Sequence, residues 1–443
     1  MNTATVADFI LKTRFNDLPS NVVNKVKLCT LDTLGAAIAG SGSRSARIVE
    51  GLVHSMGEGR EQATIIGYGR RASLPNAVLV NGAMATVLDS DDGCMSPVGH
   101  LGHVGGCVVP AALAVAEHLQ SDGKAFIEAV VVGYEVYLRT GRILTEPDLK
   151  KFSLAGTPGT YGAAAAAGKL LKLAVEEIAN GLGIAEAYAP VPRMGRIALS
   201  GPMSKEAMSW GAMTGVMAAL LAREGFTGPG TIYDDNDYDR SCLHDLGKSN
   251  ELLNVYFKPY CACRYTHAAL DIVISLLKER TFASRDVTGV TVECGAGASI
   301  LNSIRPATIE HAEYSFPFVI GAALSDGEVG PDQMREGRLN DETLLEQVNK
   351  VKVIFSEEVN TLLPGRFGAV VTVETMGGRQ YRIKREFPRG EPEEPLTRNE
   401  IEEKFRKWAT TRMDSSRVEE ILSLVKDLEN LDYMGRLLEL LKF

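Results

Sequence analysis

No apolar run in these 443 residues approaches the roughly 20 needed to cross a bilayer, so no membrane association is expected. The opening stretch, MNTATVADFILKTRF, lacks the basic start, long apolar centre and small-residue cleavage site of a secretory leader. Seven cysteines, at 29, 94, 107, 242, 261, 263 and 294, are an odd number without framework spacing, which fits reduced thiols in a cytoplasmic protein. Long charge runs of one sign are missing too. With a net charge of −9 the chain is not expected to bind nucleic acid or anionic lipid, although a locally basic site for an anionic substrate is still allowed. GxSxG, HExxH and a GxGxxG after a strand-like segment are all absent, which counts against a nucleophile-elbow hydrolase, a zincin and a dinucleotide fold. Internal repeats and low-complexity segments are not evident.

What is present reads as an ordinary globular chain, 45% hydrophobic and 23% charged, long enough for two or more domains. Apolar periodicity predicts two helices within 4–40, then helices over 46–55, 75–86, 107–120, 125–144, 160–172, 175–187 and 204–224. Residues 62–70 read as a short extended piece. The TPGTYGAAAAAGK run at 157–169 resembles a phosphate loop only superficially, because it lacks the GxxxxGK[ST] spacing and a preceding strand; its small residues suit helix packing. After Pro229 the character changes. The segments 286–295, 351–355 and 369–385 are β-branched and alternating, and Gly377-Gly378 signals a hairpin. Helices are expected at 266–280 and 308–327. Thr397 and Glu400 form a capping box that opens a helix through Trp408, and 414–441 is again amphipathic. This pattern predicts a mainly α protein with a large discontinuous helical domain (1–254 and 394–443) and a smaller α+β domain (255–393).

Chemistry concentrates in two stretches. The first, Leu88 to Glu117, starts with Asp89, Asp91 and Asp92, crosses a loop with Pro97 and four glycines, carries His100 and His103, and ends in an Ala/Val helix. Acids and imidazoles on a loop held between buried helices suit proton transfer. The second, Phe257 to Asp271, gathers Lys258, Cys261, Cys263, Arg264, Tyr265 and His267. A CxC followed four residues later by His is not a usual zinc spacing, so no metal is expected; a cationic pocket for carboxylates suits the lysine and arginine better. Lys205 is a third candidate cation.

LDSDD at 88–92, HVGGCVVPAALAVAE at 103–117, KPYCACRYTH at 258–267 and HAEYSFPFVIGAALSDG at 311–327 resemble the MmgE/PrpD family. LDTLGAAIAG at 31–40, SKEAMSWGAMTGVMAALLAREGFTGP at 204–229 and PLTRNEIEEKF at 395–405 extend the resemblance over nearly the whole chain. That family includes 2-methylcitrate dehydratase, cis-aconitate decarboxylase and iminodisuccinate epimerase. The resemblance implies a homodimer, chemistry without metal or organic cofactor, and a site in the cleft between the domains. It maps site residues onto Asp89, His103, Lys205, Lys258 and His267. Where decarboxylase-like members carry threonine, histidine and tyrosine, this chain has Gly93, Ser153 and Phe318. Three polar contacts of that branch are thus replaced, which points away from cis-aconitate decarboxylation.

The expected activity is that of a carbon-acid enzyme, a hydro-lyase acting on a small di- or tricarboxylate related to 2-methylcitrate. The alternatives are a dicarboxylate epimerase or isomerase, and a carboxylate-binding homologue without turnover. His103 is expected to act as general acid or base, with Asp89 orienting it or sharing its proton. Lys258 and Arg264 are expected to grip carboxylates, with Lys205 as a further clamp. His267 and Ser153 are expected to line the pocket, and Tyr161 to supply a second acid/base.

Overall fold

In a computed structural model the described residues are 2–443, apart from 58–59, 97–98 (which include Pro97), 145–151, 154, 193 and 280–281. The helical part begins with α1 (Asn2–Lys12), α2 (Ser20–Gly40) and α3 (Arg44–Ser55). A short hairpin follows, β1 (Ala63–Ile65) and β2 (Arg70–Ala72), then α4 (Leu74–Thr86). Next come a second hairpin, β3 (Gly93–Ser96) and β4 (Gly99–Gly102), and α5 (Val104–His118). Helices α6 (Gly123–Ile143), α7 (Gly156–Leu170), α8 (Val175–Tyr188), α9 (Met194–Ser200) and α10 (Met208–Arg223) complete it.

Small residues set how closely these helices approach. A Cβ added to Gly133 on α6 would lie 3.0 Å from the carbonyl oxygen of Gly162 on α7, and one added to Gly162 would lie 2.8 Å from that of Gly133. The two backbones therefore touch, and the alanine run of α7 is a packing surface, as its composition suggests.

The second part holds α11 (His267–Lys278), β5 (Val287–Cys294), α12 (Ala296–Ser299), α13 (Ile309–Ala312), α14 (Phe316–Asp326), α15 (Glu342–Val348), β6 (Val351–Phe355), α16 (Glu357–Asn360), β7 (Ala369–Thr375) and β8 (Gln380–Arg385). Its sheet runs β6-β5-β7-β8, with β5 and β6 parallel and the other pairs antiparallel. Gly377 and Gly378 both take left-handed backbone, as the tight turn between β7 and β8 requires. The helix expected over 308–327 is instead two, because Ser315 caps a new start at the amide of Phe318 and Pro317 fits only a first turn.

The chain ends in α17 (Arg398–Ala409), α18 (Ser415–Lys426) and α19 (Gly435–Glu439), so the amphipathic tail is interrupted where one helix was expected. Ile401, Phe405, Val418, Ile421 and Leu437 of this tail join one apolar core with Val26, Leu34, Val108 and Phe126. A second core unites α11, α14 and the sheet, and Ala39, Val87, Leu88 and Trp408 reach into it from the helical side. The architecture is mainly α with a smaller mixed α+β lobe. Among the described residues no helix is long and apolar enough to cross a membrane.

Candidate active site

The acidic segment after α4 gives its three aspartates three different positions. Asp92 receives the amide of Gly105 (2.7 Å) and the hydroxyl of Tyr134 (2.7 Å), so it closes the first turn of α5. Burial pushes its carboxyl up to about 7. Asp91 Oδ1 lies 2.7 Å from His103 Nδ1. Asp89 faces the other side of the same ring, 3.5 Å from Nε2. The glycine pair after His103 makes this possible: a Cβ on Gly106 would stand 2.6 Å from Asp91 Oδ2, and one on Gly105 would stand 2.2 Å from Thr33 Oγ1.

Cations arrive from distant parts of the chain. Lys258, between the two apolar cores in sequence, pairs with Asp89, and Lys205 lies 4.0 Å from the other Asp89 oxygen and 2.9 Å from Glu313. Glu206 turns Oε2 toward His103 Nε2 at 3.8 Å; that oxygen has no hydrogen-bond partner among the described residues, while Oε1 accepts from Tyr314. Asp89, His103, Lys205, Glu206 and Lys258 are each at most 4% exposed, so water screens none of these charges well.

The electrostatics follow from that enclosure. Burial opposes ionisation of Asp89, but Lys258 and Lys205 outweigh it and hold the carboxyl below the ordinary range. Burial likewise disfavours the charged form of His103, yet Asp91 overcomes it and raises the imidazole above its usual value. Lys205 is held up against burial by Glu313 and Asp89, and Lys258 by Asp89. The cluster is a chain of alternating charges with one ionisable ring at its centre.

Its backbone is strained as well. Six non-glycine residues among those described have positive φ: Asp89, His103, Gln120, Lys172, Lys205 and Ala207. Gln120 and Lys172 directly follow α5 and α7, an ordinary helix ending. The other four lie in this cluster or beside it. Left-handed backbone in side-chain-bearing residues costs about 1 kcal/mol or more each, and persists where the surroundings over-determine it.

Comparison with known proteins places this geometry in a family. Residues 4–238 match the MmgE/PrpD N-terminal domain, and residues 260–430 match the MmgE/PrpD C-terminal domain. The chain belongs to the MmgE/PrpD family. Similar members include the cis-aconitate decarboxylase-like protein oryM of Aspergillus oryzae, 26% identical over 99% of this chain and 97% of that protein. Cis-aconitate decarboxylase of Homo sapiens is also 26% identical, over 99% of this chain and 94% of its own. The Aspergillus terreus cis-aconitate decarboxylase is 26% identical over 96% and 93%.

Within this family member the remaining expected site residues are placed differently. Arg264 is fully buried but already engaged: Nε and Nη2 donate to Glu391 at 3.0 and 2.7 Å, Nη1 faces His267 Nδ1 at 3.2 Å, and the guanidinium lies 4.1 Å over the Tyr256 ring. His267 has both ring nitrogens committed, Nδ1 to Arg264 and Nε2 to the carbonyl of Ala262 at 2.9 Å. Nε2 must carry the proton there, and burial together with the Arg264 charge keeps the ring neutral. Neither residue therefore presents a free group in this arrangement, whereas the sequence leads one to expect Arg264 to grip a carboxylate and His267 to line the pocket.

Tyr161 and Ser153 are not brought to the cluster. Tyr161 donates to Glu186 and packs edge-on to Tyr233, inside the helical core. Ser153 Oγ accepts from the amides of Ala155 and Gly156 and closes the start of α7. In this arrangement the Tyr161 hydroxyl links α7 to α8, and the Ser153 hydroxyl serves the start of α7.

Asp91, rather than Asp89, makes the short contact to His103. Glu206, Glu313 and Tyr314 are at the cluster too, although neither composition nor spacing marks them out from neighbouring polar residues. Tyr256, one residue before the second stretch, has a buried hydroxyl without a partner among the described residues. A Cβ on Gly93 would meet that hydroxyl at 2.5 Å. Gly93 thus leaves room for a phenol where a threonine would not fit without movement of Tyr256.

Proposed function

We propose that the protein is a lyase acting on a small di- or tricarboxylate, most specifically a hydro-lyase, with the buried His103 cluster as its reaction centre. The observation that carries this reading is the placement of one imidazole, fixed on Nδ1 by Asp91, between carboxylates and two ammonium groups contributed from both lobes. The decarboxylase names of its relatives support a carboxylate-acting lyase; Gly93, Ser153 and Phe318, where decarboxylase-like members carry polar side chains, count against decarboxylation.

Dehydration next to a carboxylate needs a base, an acid and stabilisation of charge on the substrate's carboxylate oxygens. Lys258, paired with Asp89, and Lys205, paired with Glu313, become available to an incoming carboxylate when those pairs open. Glu206, through Oε2, removes the proton beside the substrate carboxylate. The C–H electrons form the double bond as the C–O bond breaks, and His103 gives its Nε2 proton to the leaving hydroxyl, which departs as water. Asp91 holds the ring orientation throughout. Lys258 and Lys205 reside on opposite sides of the lobe boundary, so entry of substrate requires the Lys258–Asp89 and Lys205–Glu313 pairs to separate.

This reading divides the chain into a helical domain (1–254 and 394–443) and an α+β domain (255–393), supported by the two apolar cores. A homodimer working without metal or organic cofactor is part of the same proposal. A second reading, epimerisation, uses the same groups: if proton removal instead leaves a carbanion stabilised by the adjacent carboxylate, and that carbon is reprotonated from its opposite face with no C–O bond broken, no alkene forms. The Glu206 and His103 pair favours neither outcome by itself.

Proton NMR of di- and tricarboxylates incubated with the protein in D2O tests this. Alkene signals growing with loss of the hydroxylated substrate are expected. Deuterium at a stereocentre without alkene would replace the lyase by the epimerase, and no change across the panel would remove both.

A further inference from the structure

A cavity of about 380 Å³ lies against Val87 and Leu88, just before Asp89, and is bounded by both lobes. Arg44 and Arg47 of α3 and Arg412, after α17, line it from the helical side; Arg335 lines it from the α+β side. Two carboxylates, Glu310 and Glu336, also line it, so four guanidiniums face two acids. Arg335 is paired with Asp332 outside the cavity. Arg47 donates to the carbonyl of Gly42 at 2.7 Å, and among the described residues none of Arg44, Arg47 and Arg412 forms an ion pair. The guanidiniums outnumber the carboxylates of the lining, and a bound anion would offset that excess of positive charge. The cavity also receives the start of α3, whose N-cap Ser43 accepts from the amide of Ala46 at 3.1 Å; the positive end of a helix adds to the same field.

We propose that this cavity is a second anion site, distinct from the buried cluster, that takes a small molecule carrying two or more negative charges. Guanidinium forks suit phosphate and carboxylate alike. The volume suits a metabolite rather than a single ion, and Ile309 and Met334 offer an apolar wall to its carbon skeleton. Because its arginines come from both lobes, the bound anion draws the lobes together next to the segment that leads into Asp89. The site does not depend on the reaction proposed above.

Titration calorimetry at constant ionic strength, with pyrophosphate in one series and tricarballylate in another, tests it. Pyrophosphate is expected to saturate one site per chain; tricarballylate also fits the buried cluster, so for each series only the binding that the double variant below removes is assigned to this cavity, and the stronger of these identifies phosphorylated or polycarboxylic ligands. The double variant Arg44→Ala/Arg412→Ala should bind roughly 10-fold or more weakly, since two charge-assisted contacts are lost. Both arginines are exposed, so the melting temperature of the unliganded variant should match wild type. Heats that never saturate beyond the sodium chloride control, or equal affinity in the double variant, would overturn the proposal.

Discussion

Replacing Asp91 by asparagine removes a charge from the centre of the cluster while keeping its shape. The carboxylate oxygen lies 2.7 Å from His103 Nδ1, and both side chains are almost fully buried. Hydrogen bonds to charged groups contribute about 1.5–3 kcal/mol, against about 1 for neutral pairs. Unit charges 4 Å apart at an effective dielectric constant of 20 attract by about 4 kcal/mol. A loss of about 2 kcal/mol falls between these bounds and corresponds to about 1.5 pH units. Burial then has less to oppose it, so the His103 titration should fall from above the ordinary histidine value to below it.

The raised His103 value also shapes stability against pH. A histidine whose folded pKa is raised contributes stability that is fully present below its unfolded value, about 6.5, and is lost as pH rises through the folded value. Wild type should therefore lose some stability above about pH 6.5, and Asp91→Asn should not. NMR titration of the imidazole ring signals reads this directly, because there are only seven histidines and His103→Gln identifies the one concerned. If His103 titrates at the same pH in Asp91→Asn and in wild type, Asp91 does not hold its proton and the proposed orientation fails.

Other substitutions separate chemistry from support. Glu206→Gln keeps an acceptor for Tyr314 but loses the base, so kcat should fall about 10²–10⁴-fold with KM nearly unchanged; an unaltered kcat would assign deprotonation elsewhere. Arg264→Ala leaves Glu391 buried without its cation and should destabilise by about 3–5 kcal/mol in urea unfolding; a stable variant with only a raised KM would restore the substrate-binding role that the sequence suggests. Asp89 has a depressed folded pKa, so its stabilisation is present above about pH 4 and is lost as pH falls further. Urea midpoints at pH 6, 4 and 3 should accordingly drop less steeply in Asp89→Asn than in wild type, and parallel slopes would refute the Asp89–Lys258 assignment.

Helices with a single apolar face were legible from spacing alone, as α3 and α18 illustrate, because burial on one side leaves a 3.6-residue imprint. The β3–β4 hairpin was not: its glycines at 93, 99 and 102 leave no alternation of large side chains to read. The site was legible to the extent that reactive residues lie close in sequence. Asp89, His103 and Lys258 stand in two dense stretches, whereas their partners Glu206 and Glu313 are single acids in helical or turn segments, and nothing local distinguishes them from solvated charges. Arg264 shows the opposite failure. Its neighbours suggested a free cation, and only the return of the chain at Glu391, 127 residues on, reveals the acid that engages it. Partners separated by that distance leave no mark on either local sequence.

The backbone strain at Asp89, His103 and Lys205 bears on why these residues are assembled as they are. None of the three is a glycine, and none sits at an ordinary helix ending, so each strained conformation must be held by its surroundings. For His103 the holding contacts are Asp91 on the ring and the carbonyl of Asp92, which receives its amide at 2.9 Å. For Lys205 they are Glu313 and the carbonyl of Thr86, 2.8 Å from its ammonium. Both sets consist of polar contacts, and one of them, Lys205–Glu313, joins the helical part to the α+β lobe, whereas apolar packing would hold the backbone whether or not the charges were present. A substrate anion that enters between Lys258 and Asp89 would therefore rearrange the contacts that hold the strained backbone. Binding and positioning of the reactive ring are coupled through the same few charges, which is the arrangement a cleft needs if its acid is to be aligned only after the lobes have closed on the substrate.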